Sequence, residues 1–154
     1  MRSLIVVDSR FGNTEAVARE VAEALEAHGW EAELVAAADV EWPDCGELDL
    51  VLVGGPTQQQ GLSPAMVTLL STGRAGASCG VAAAAFDTRY QMAPLLSGSA
   101  ADRIARRLAS FGCRVVVGPE SFFVAGREGP LLEGELQRAR DWALEVAARV
   151  GTRA

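Results

Sequence analysis

The feature that most constrains this chain is an alternation, repeated from end to end, of short β-rich apolar runs with stretches of helical periodicity. Residues 3–8 (SLIVVD) read as a buried strand, and residues 15–28 place Val17, Ala18, Val21, Ala22 and Leu25 on one helical stripe. Glu15, Arg19, Glu20, Glu23 and Glu26 fall outside that stripe, and Gly29 ends the helix. Residues 30–36 and 48–54 predict a second and a third strand, the latter closed by Gly54-Gly55-Pro56. Ser63-Pro64 then opens a helix with an N-cap and a proline at its first position. A fourth strand is expected over 80–86. The helix expected over 99–111 puts Ala101, Ile104, Ala105, Leu108 and Phe111 on one face, with Ser99 and Asp102 as a capping pair. Residues 114–117 read as a fifth strand that resumes at 121–124. A last helix, 133–150, is predicted to bury Leu136, Ala139, Ala143, Ala147 and Val150. Strands separated by helices imply a parallel sheet covered on both faces, and with no repeat or linker the expectation is one domain over 1–154.

Composition narrows the partners. A net charge of −6 argues against nucleic acid or an anionic membrane as the main partner. Apolar runs such as 81–86 are too short to cross a bilayer, and the N-terminus lacks the plan of a signal peptide, so the expected location is the cytoplasm. All 14 basic residues are arginine, which reads as the codon bias of a GC-rich bacterial genome. Three widely spaced cysteines, Cys45, Cys79 and Cys113, with His28 as the single imidazole, make neither a disulfide framework nor a metal site. They read as small core residues near strand starts.

In a doubly wound sheet, ligands sit beyond the carboxyl ends of the strands where strand order reverses. For the order 2-1-3-4-5, the loops after strands one, three and four frame one crevice: SRFGNT, GGPTQQQG and FDTRYQ. The first turns from strand into helix, so the amides of Gly12, Asn13 and Thr14 belong to a helix N-terminus, where the dipole favours an anion. A chain without lysine has no Walker motif, and the turn is not G-x-G-x-x-G either. Glycine, asparagine and threonine also make a good helix cap, and the residues alone leave that reading open.

Ser9-Arg10-Phe11-Gly12-Asn13-Thr14 resembles the phosphate loop of the flavodoxins, and Gly55-Pro56-Thr57 is similar to the start of their second flavin loop. Asp87-Thr88-Arg89-Tyr90 has the D-x-x-Y spacing of their third. The resemblance implies a flavodoxin-like doubly wound five-stranded parallel sheet, with helices on both faces. It also implies bound flavin mononucleotide (FMN) and single-electron exchange with a reductase and an acceptor protein. It assigns hydroxyls of Ser9 and Thr14 to the phosphate, Thr57 to the phosphate and ribityl side, Tyr90 to one face of the isoalloxazine and Asp87 to its polar edge. Arg10, Pro56, Gln58, Gly61, Thr88 and Arg89 complete the candidate site, Arg10 and Arg89 solvated unless an anion draws them in.

Two departures from the family stand out. Phe11 replaces a second hydroxyl, and Gln58, Gln59 and Gln60 stand where many flavodoxins place a tryptophan. Trp30, Trp42 and Trp142 all fall outside the three loops. One ring face is therefore either covered by amide side chains or left open. The departures motivate two alternatives: an FMN-dependent NAD(P)H or quinone reductase on the same fold, and a binding or regulatory module that has lost flavin. A phosphate-accepting receiver domain needs a lysine at the fifth strand and an aspartate ending the third, and this chain has neither.

Overall fold

The computed structural model of the chain describes residues 1–58, 61–78, 80–91 and 99–151. Five strand regions follow the order β2-β1-β3-β4-β5, with all pairs parallel. They are β1 (Arg2–Val7), β2 (Glu31–Ala36), β3 (Leu50–Pro56), β4 (Ala82–Tyr90) and β5 (Arg114–Val115), and a sixth segment, β6 (Glu120–Val124), also pairs with β4. The helices are α1 (Asn13–Ala27), α2 (Pro64–Ser71), α3 (Ala100–Ser110) and α4 (Glu135–Val150).

Successive strand residues point to opposite faces, and each face has its own core. Ile5, Val7, Leu50, Leu52, Ala84 and Phe86 pack under α1 and α4, against Val17, Val21, Leu25, Ala139 and Trp142. Leu4, Val6, Val51, Val53, Ala83 and Ala85 pack under α2 and α3, against Met66, Leu69, Ile104 and Leu108. Burial on both faces explains why these strands read as continuous apolar runs. On the first face the rings of Phe86, Phe122 and Trp142 form an edge-on triangle with centroids 5.6–6.2 Å apart. Gly54 makes room for it: a Cβ there would lie 2.2 Å from the Phe86 ring.

The edge strand is broken where Val116-Val117-Gly118-Pro119 intervene. Ala83 pairs with Val115 and Phe86 with Glu120, so two extra residues bulge out before β6 resumes. The fourth strand runs past its expected end at 86 to Tyr90, because β6 supplies partners from Phe86↔Glu120 to Tyr90↔Val124. Asp87 to Tyr90 is therefore strand, not loop.

The phase of α4 also differs from expectation. Leu136 is 41% exposed, while Glu135, Ala139, Trp142, Ala143, Val146 and Val150 are buried and Ala147 packs at the margin of the core. Trp142 sets this phase by joining the Phe86–Phe122 pair, and Glu135 turns inward because it has polar partners there. Its carboxylate accepts from the Phe123 amide at 2.8 Å and from Arg138, which also pairs with Glu120 at 2.9 Å and donates to the Ser121 carbonyl. This knot clamps β6 to α4. Cys45 and Cys113 are buried core residues on the α2/α3 side, and burial pushes the Cys113 thiol up, partly offset by a hydrogen bond with Ser78. Cys79 lies outside the described residues.

Candidate functional site

At the carboxyl ends of β1, β3, β4 and β6 lies a cavity of about 410 Å³, lined by residues of four segments. Ser9, Arg10, Phe11, Asn13 and Thr14 come from the turn after β1, and Pro56, Thr57 and Gln58 from the end of β3. Thr88 and Tyr90 come from β4, and Val124 and Arg127 from the end of β6 and beyond.

The turn after β1 is built by Ser9 and Gly12. The Ser9 hydroxyl accepts from the Gly12 amide at 3.1 Å and the Glu15 amide at 3.2 Å, and Gly12 caps α1 at φ 89°, in the left-handed region where glycine costs little. The Gly12 amide is thus used inside the turn. The amides of Asn13 and Thr14 have no hydrogen-bond partner among the described residues, and they sit at the positive end of a 15-residue helix. The Ser9 hydroxyl, accepting twice, keeps its own proton to donate. Thr14, buried, places its hydroxyl 2.8 Å from that of Thr88. The Asn13 amide side chain donates to the Glu128 carbonyl at 3.1 Å, binding this turn to the segment after β6.

Strand alternation sorts the D-x-x-Y segment. Thr88 and Tyr90 face the cavity, with Tyr90 42% exposed at the rim. Asp87 and Arg89 take the other face and do not line the cavity. Asp87, expected at the polar edge of the ring, is instead fully buried. One of its oxygens accepts from Thr57 Oγ1 at 3.2 Å, Ser99 Oγ at 2.9 Å and the Ala101 amide at 3.0 Å. Arg89, expected in solvent unless an anion drew it in, is largely enclosed, with its Nε donating to Ser121 Oγ at 2.8 Å and lying 3.8 Å from the Asp87 carboxylate. The shift has one cause, the extension of β4 alongside β6.

Thr57 lines the cavity, but its hydroxyl donates to Asp87 and accepts from the Ala100 amide at 3.0 Å, so it joins the second loop to α3. Gly61 pairs with Gln58 through backbone bonds of 2.8 and 2.7 Å and lies outside the lining. Gln59 and Gln60 lie outside the described residues. Phe11 is 40% exposed at the mouth, under the Arg10 guanidinium 5.2 Å from its centroid.

Val124 and Arg127 were not singled out from the sequence. Their signal was available: Val124 ends the resumed fifth strand and Arg127 follows it, and the rule that selects loops beyond strand carboxyl ends applies there as well. No group of three or more His, Cys, Asp or Glu among the described residues is placed to hold a metal, and no helix of the described residues is long and apolar enough to cross a membrane.

A cavity at the switch point of a 2-1-3-4-5 sheet, with free amides at a helix N-terminus and an aromatic at its rim, defines a doubly wound α/β protein with its crevice where that class binds ligands. The chain belongs to the flavodoxin family, whose model matches residues 5–142. The chain is similar to a flavodoxin from the domain Archaea, at 21% identity and TM-score 0.76, covering 99% of this chain and 100% of that one. It is also similar to flavodoxin 1 from Bacillus cereus, at 18% identity and TM-score 0.79, covering 96% and 98%. A Streptococcus pneumoniae flavodoxin matches at 20% identity and TM-score 0.79, covering 97% and 99%. No curated protein is a significant match to the chain. At these identities the structures show the fold, and FMN is the cofactor of the family.

The described residues fit that group. The cavity is of ligand size, and it combines unpartnered amides and a spare hydroxyl proton for a phosphate with a half-exposed tyrosine ring for a flat heteroaromatic surface.

Proposed function

We propose that this chain is an FMN-binding electron carrier, a single domain working in the cytoplasm between a reductase and an acceptor protein. The observation that supports it most is the placement of Asn13 and Thr14, whose amides are unpartnered, on the wall of the same cavity as Tyr90. One end of the site suits a phosphate and the other a ring. Bound flavin supplies the redox chemistry, and the protein supplies binding, orientation and electrostatics. In this reading Asn13, Thr14 and Ser9 hold the phosphate, Thr88 and Thr14 order the floor, and Tyr90 covers one ring face. No side chain serves as nucleophile or general base. Thr57 lines the wall but spends its hydroxyl on Asp87 one layer back, and together they fix the second loop against α3.

The test is the visible spectrum and melting temperature of purified protein before and after addition of FMN. Uptake of the two-band oxidised flavin spectrum, release of intact FMN on heating, and a concentration-dependent rise in Tm are expected, since a ligand that binds the native state stabilises it. Absence of both uptake and stabilisation would leave the regulatory-module reading standing instead. Rapid NADH or NADPH oxidation by the isolated, flavin-loaded protein would move it to the reductase class.

A further inference from the structure

Arg10, a candidate site residue without an assigned contact, and Arg127 line the cavity from two separate segments. The chain has 20 carboxylate residues against 14 arginines, yet neither of these two makes an ion pair among the described residues. They share this with Arg74, Arg103, Arg106, Arg107 and Arg114, but among the described residues Arg10 and Arg127 are the arginines that line the cavity. Glu15, in the first turn of α1, is taken by Arg19 at 2.6 Å, and exposed Glu128 touches the site through its carbonyl.

Local structure holds the Arg10 guanidinium and the backbone that carries Arg127. Arg10 lies over the Phe11 ring, a cation–π contact that holds it at the rim. Arg127 stands in a turn closed by Gly129 N–H to Gly126 carbonyl at 3.0 Å and Ala125 N–H to Pro130 carbonyl at 2.9 Å. Through Asn13 and Glu128 that turn is bonded to the first residue of α1, the helix end with the unpartnered amides. The neutral donors at this end are few: Phe11 has no hydroxyl, the Gly12 amide is spent on Ser9, and one proton of the Thr14–Thr88 pair is spent within it.

We propose that Arg10 and Arg127 form a cationic clamp that grips the phosphate of a phosphorylated ligand at the N-terminus of α1. Guanidinium forks bind phosphate bidentately and keep their charge at all working pH values, so the clamp makes phosphate recognition charge-driven and salt-sensitive. The proposal takes its ligand from the FMN reading, but the clamp itself requires only the phosphate group.

The experiment titrates FMN and riboflavin into the native chain, Arg127→Gln and Arg10→Gln/Arg127→Gln at low and high salt. Arg127→Gln is expected to weaken FMN binding at least about tenfold, equivalent to about 1.4 kcal/mol, while riboflavin stays within about twofold. The double variant should lose more, and its FMN affinity should depend less on salt than that of the native chain. Unchanged FMN affinity, or equal losses for the two ligands, overturns the clamp. If the chain binds no flavin, the flavin reading falls and inorganic phosphate decides the clamp separately. At matched ionic strength, phosphate should raise the Tm of the native chain above its value in chloride and leave the double variant unmoved. No rise in the native chain then overturns it.

Discussion

The hydroxyls of Thr14 and Thr88 meet 2.8 Å apart on the cavity floor, joining the first turn of α1 to the carboxyl end of β4. Thr14 and Thr88 are 1% and 5% exposed, so neither hydroxyl has ready access to water when its partner is removed. Thr14→Val or Thr88→Val alone should therefore cost about 1–3 kcal/mol, the price of one buried unsatisfied hydroxyl. Thr14→Val/Thr88→Val should recover most of that loss, because removing both partners together leaves nothing unpaired. Denaturant unfolding of the ligand-free variants measures the cycle. Additive losses would mean that the two hydroxyls work independently.

Tyr90 closes β4 in register with Val124, which places its ring at the rim of the cavity. Tyr90→Ala should weaken FMN binding by about 0.5–1.5 kcal/mol beyond lost burial, the contribution of aromatic ring geometry. Tyr90→Phe keeps the ring and should stay close to the native affinity. Flavin fluorescence titrations of both variants check this, and equal, negligible effects would remove the ring from the site.

Asp87 reaches the site only through others. Its carboxylate ties Thr57 of the second loop to Ser99 and Ala101 at the start of α3. Asp87→Ala strands three donors in a buried place and should cost at least about 2 kcal/mol, since a single hydrogen bond to a charged group contributes about 1.5–3. Asp87→Asn retains an acceptor oxygen for all three donors. It also replaces the other carboxylate oxygen, which has no hydrogen-bond partner, so it should cost clearly less. Chemical denaturation of the two variants ranks them, and an equal cost would show that charge rather than hydrogen bonding holds the second loop.

These residues show what was legible in the sequence and what was not. The strand order was implied by the family resemblance, whereas the alternation of strands and helices and the loops after β1 and β3 follow from local periodicity and turn chemistry and were readable. The fate of Asp87 and Arg89 was not, because it depends on β4 continuing to Tyr90. That continuation requires β6, paired from more than thirty residues away across a two-residue bulge. Leu136 misled for a related reason: helical spacing defines a stripe but not which of two adjacent stripes faces inward. Here Trp142 and the Glu135–Arg138 pair decide, through contacts with Phe86, Phe122 and Phe123 that no local pattern reveals. Arg127 was missed because the fifth strand's own loop was left out of the crevice.

The Glu135–Arg138 pair also gives stability a pH dependence. Burial pushes the Glu135 carboxyl up. The hydrogen bond from Arg138, the Phe123 amide and the nearby Arg138 charge outweigh that and hold it below its ordinary value of 4.5. A carboxylate whose folded pKa is depressed contributes stability that is fully present above its unfolded pKa and is lost as pH falls through the folded value. Glu135→Gln should therefore destabilise the chain near neutral pH by about 1.5–3 kcal/mol, the range for a hydrogen bond to a charged group. The gap to the native chain should begin to narrow as pH falls below 4.5, where the unfolded chain takes up the Glu135 proton first, and should close as pH falls through the lower folded value. Because Glu135 also accepts from the Phe123 amide on β6, protection of that amide against hydrogen exchange should drop in the variant at neutral pH. Urea unfolding of both proteins from neutral to acidic pH, with exchange at Phe123, tests the two together. A gap that stays constant across that range would place the loss in packing, and leave the charge of Glu135 without a part in holding β6 against α4.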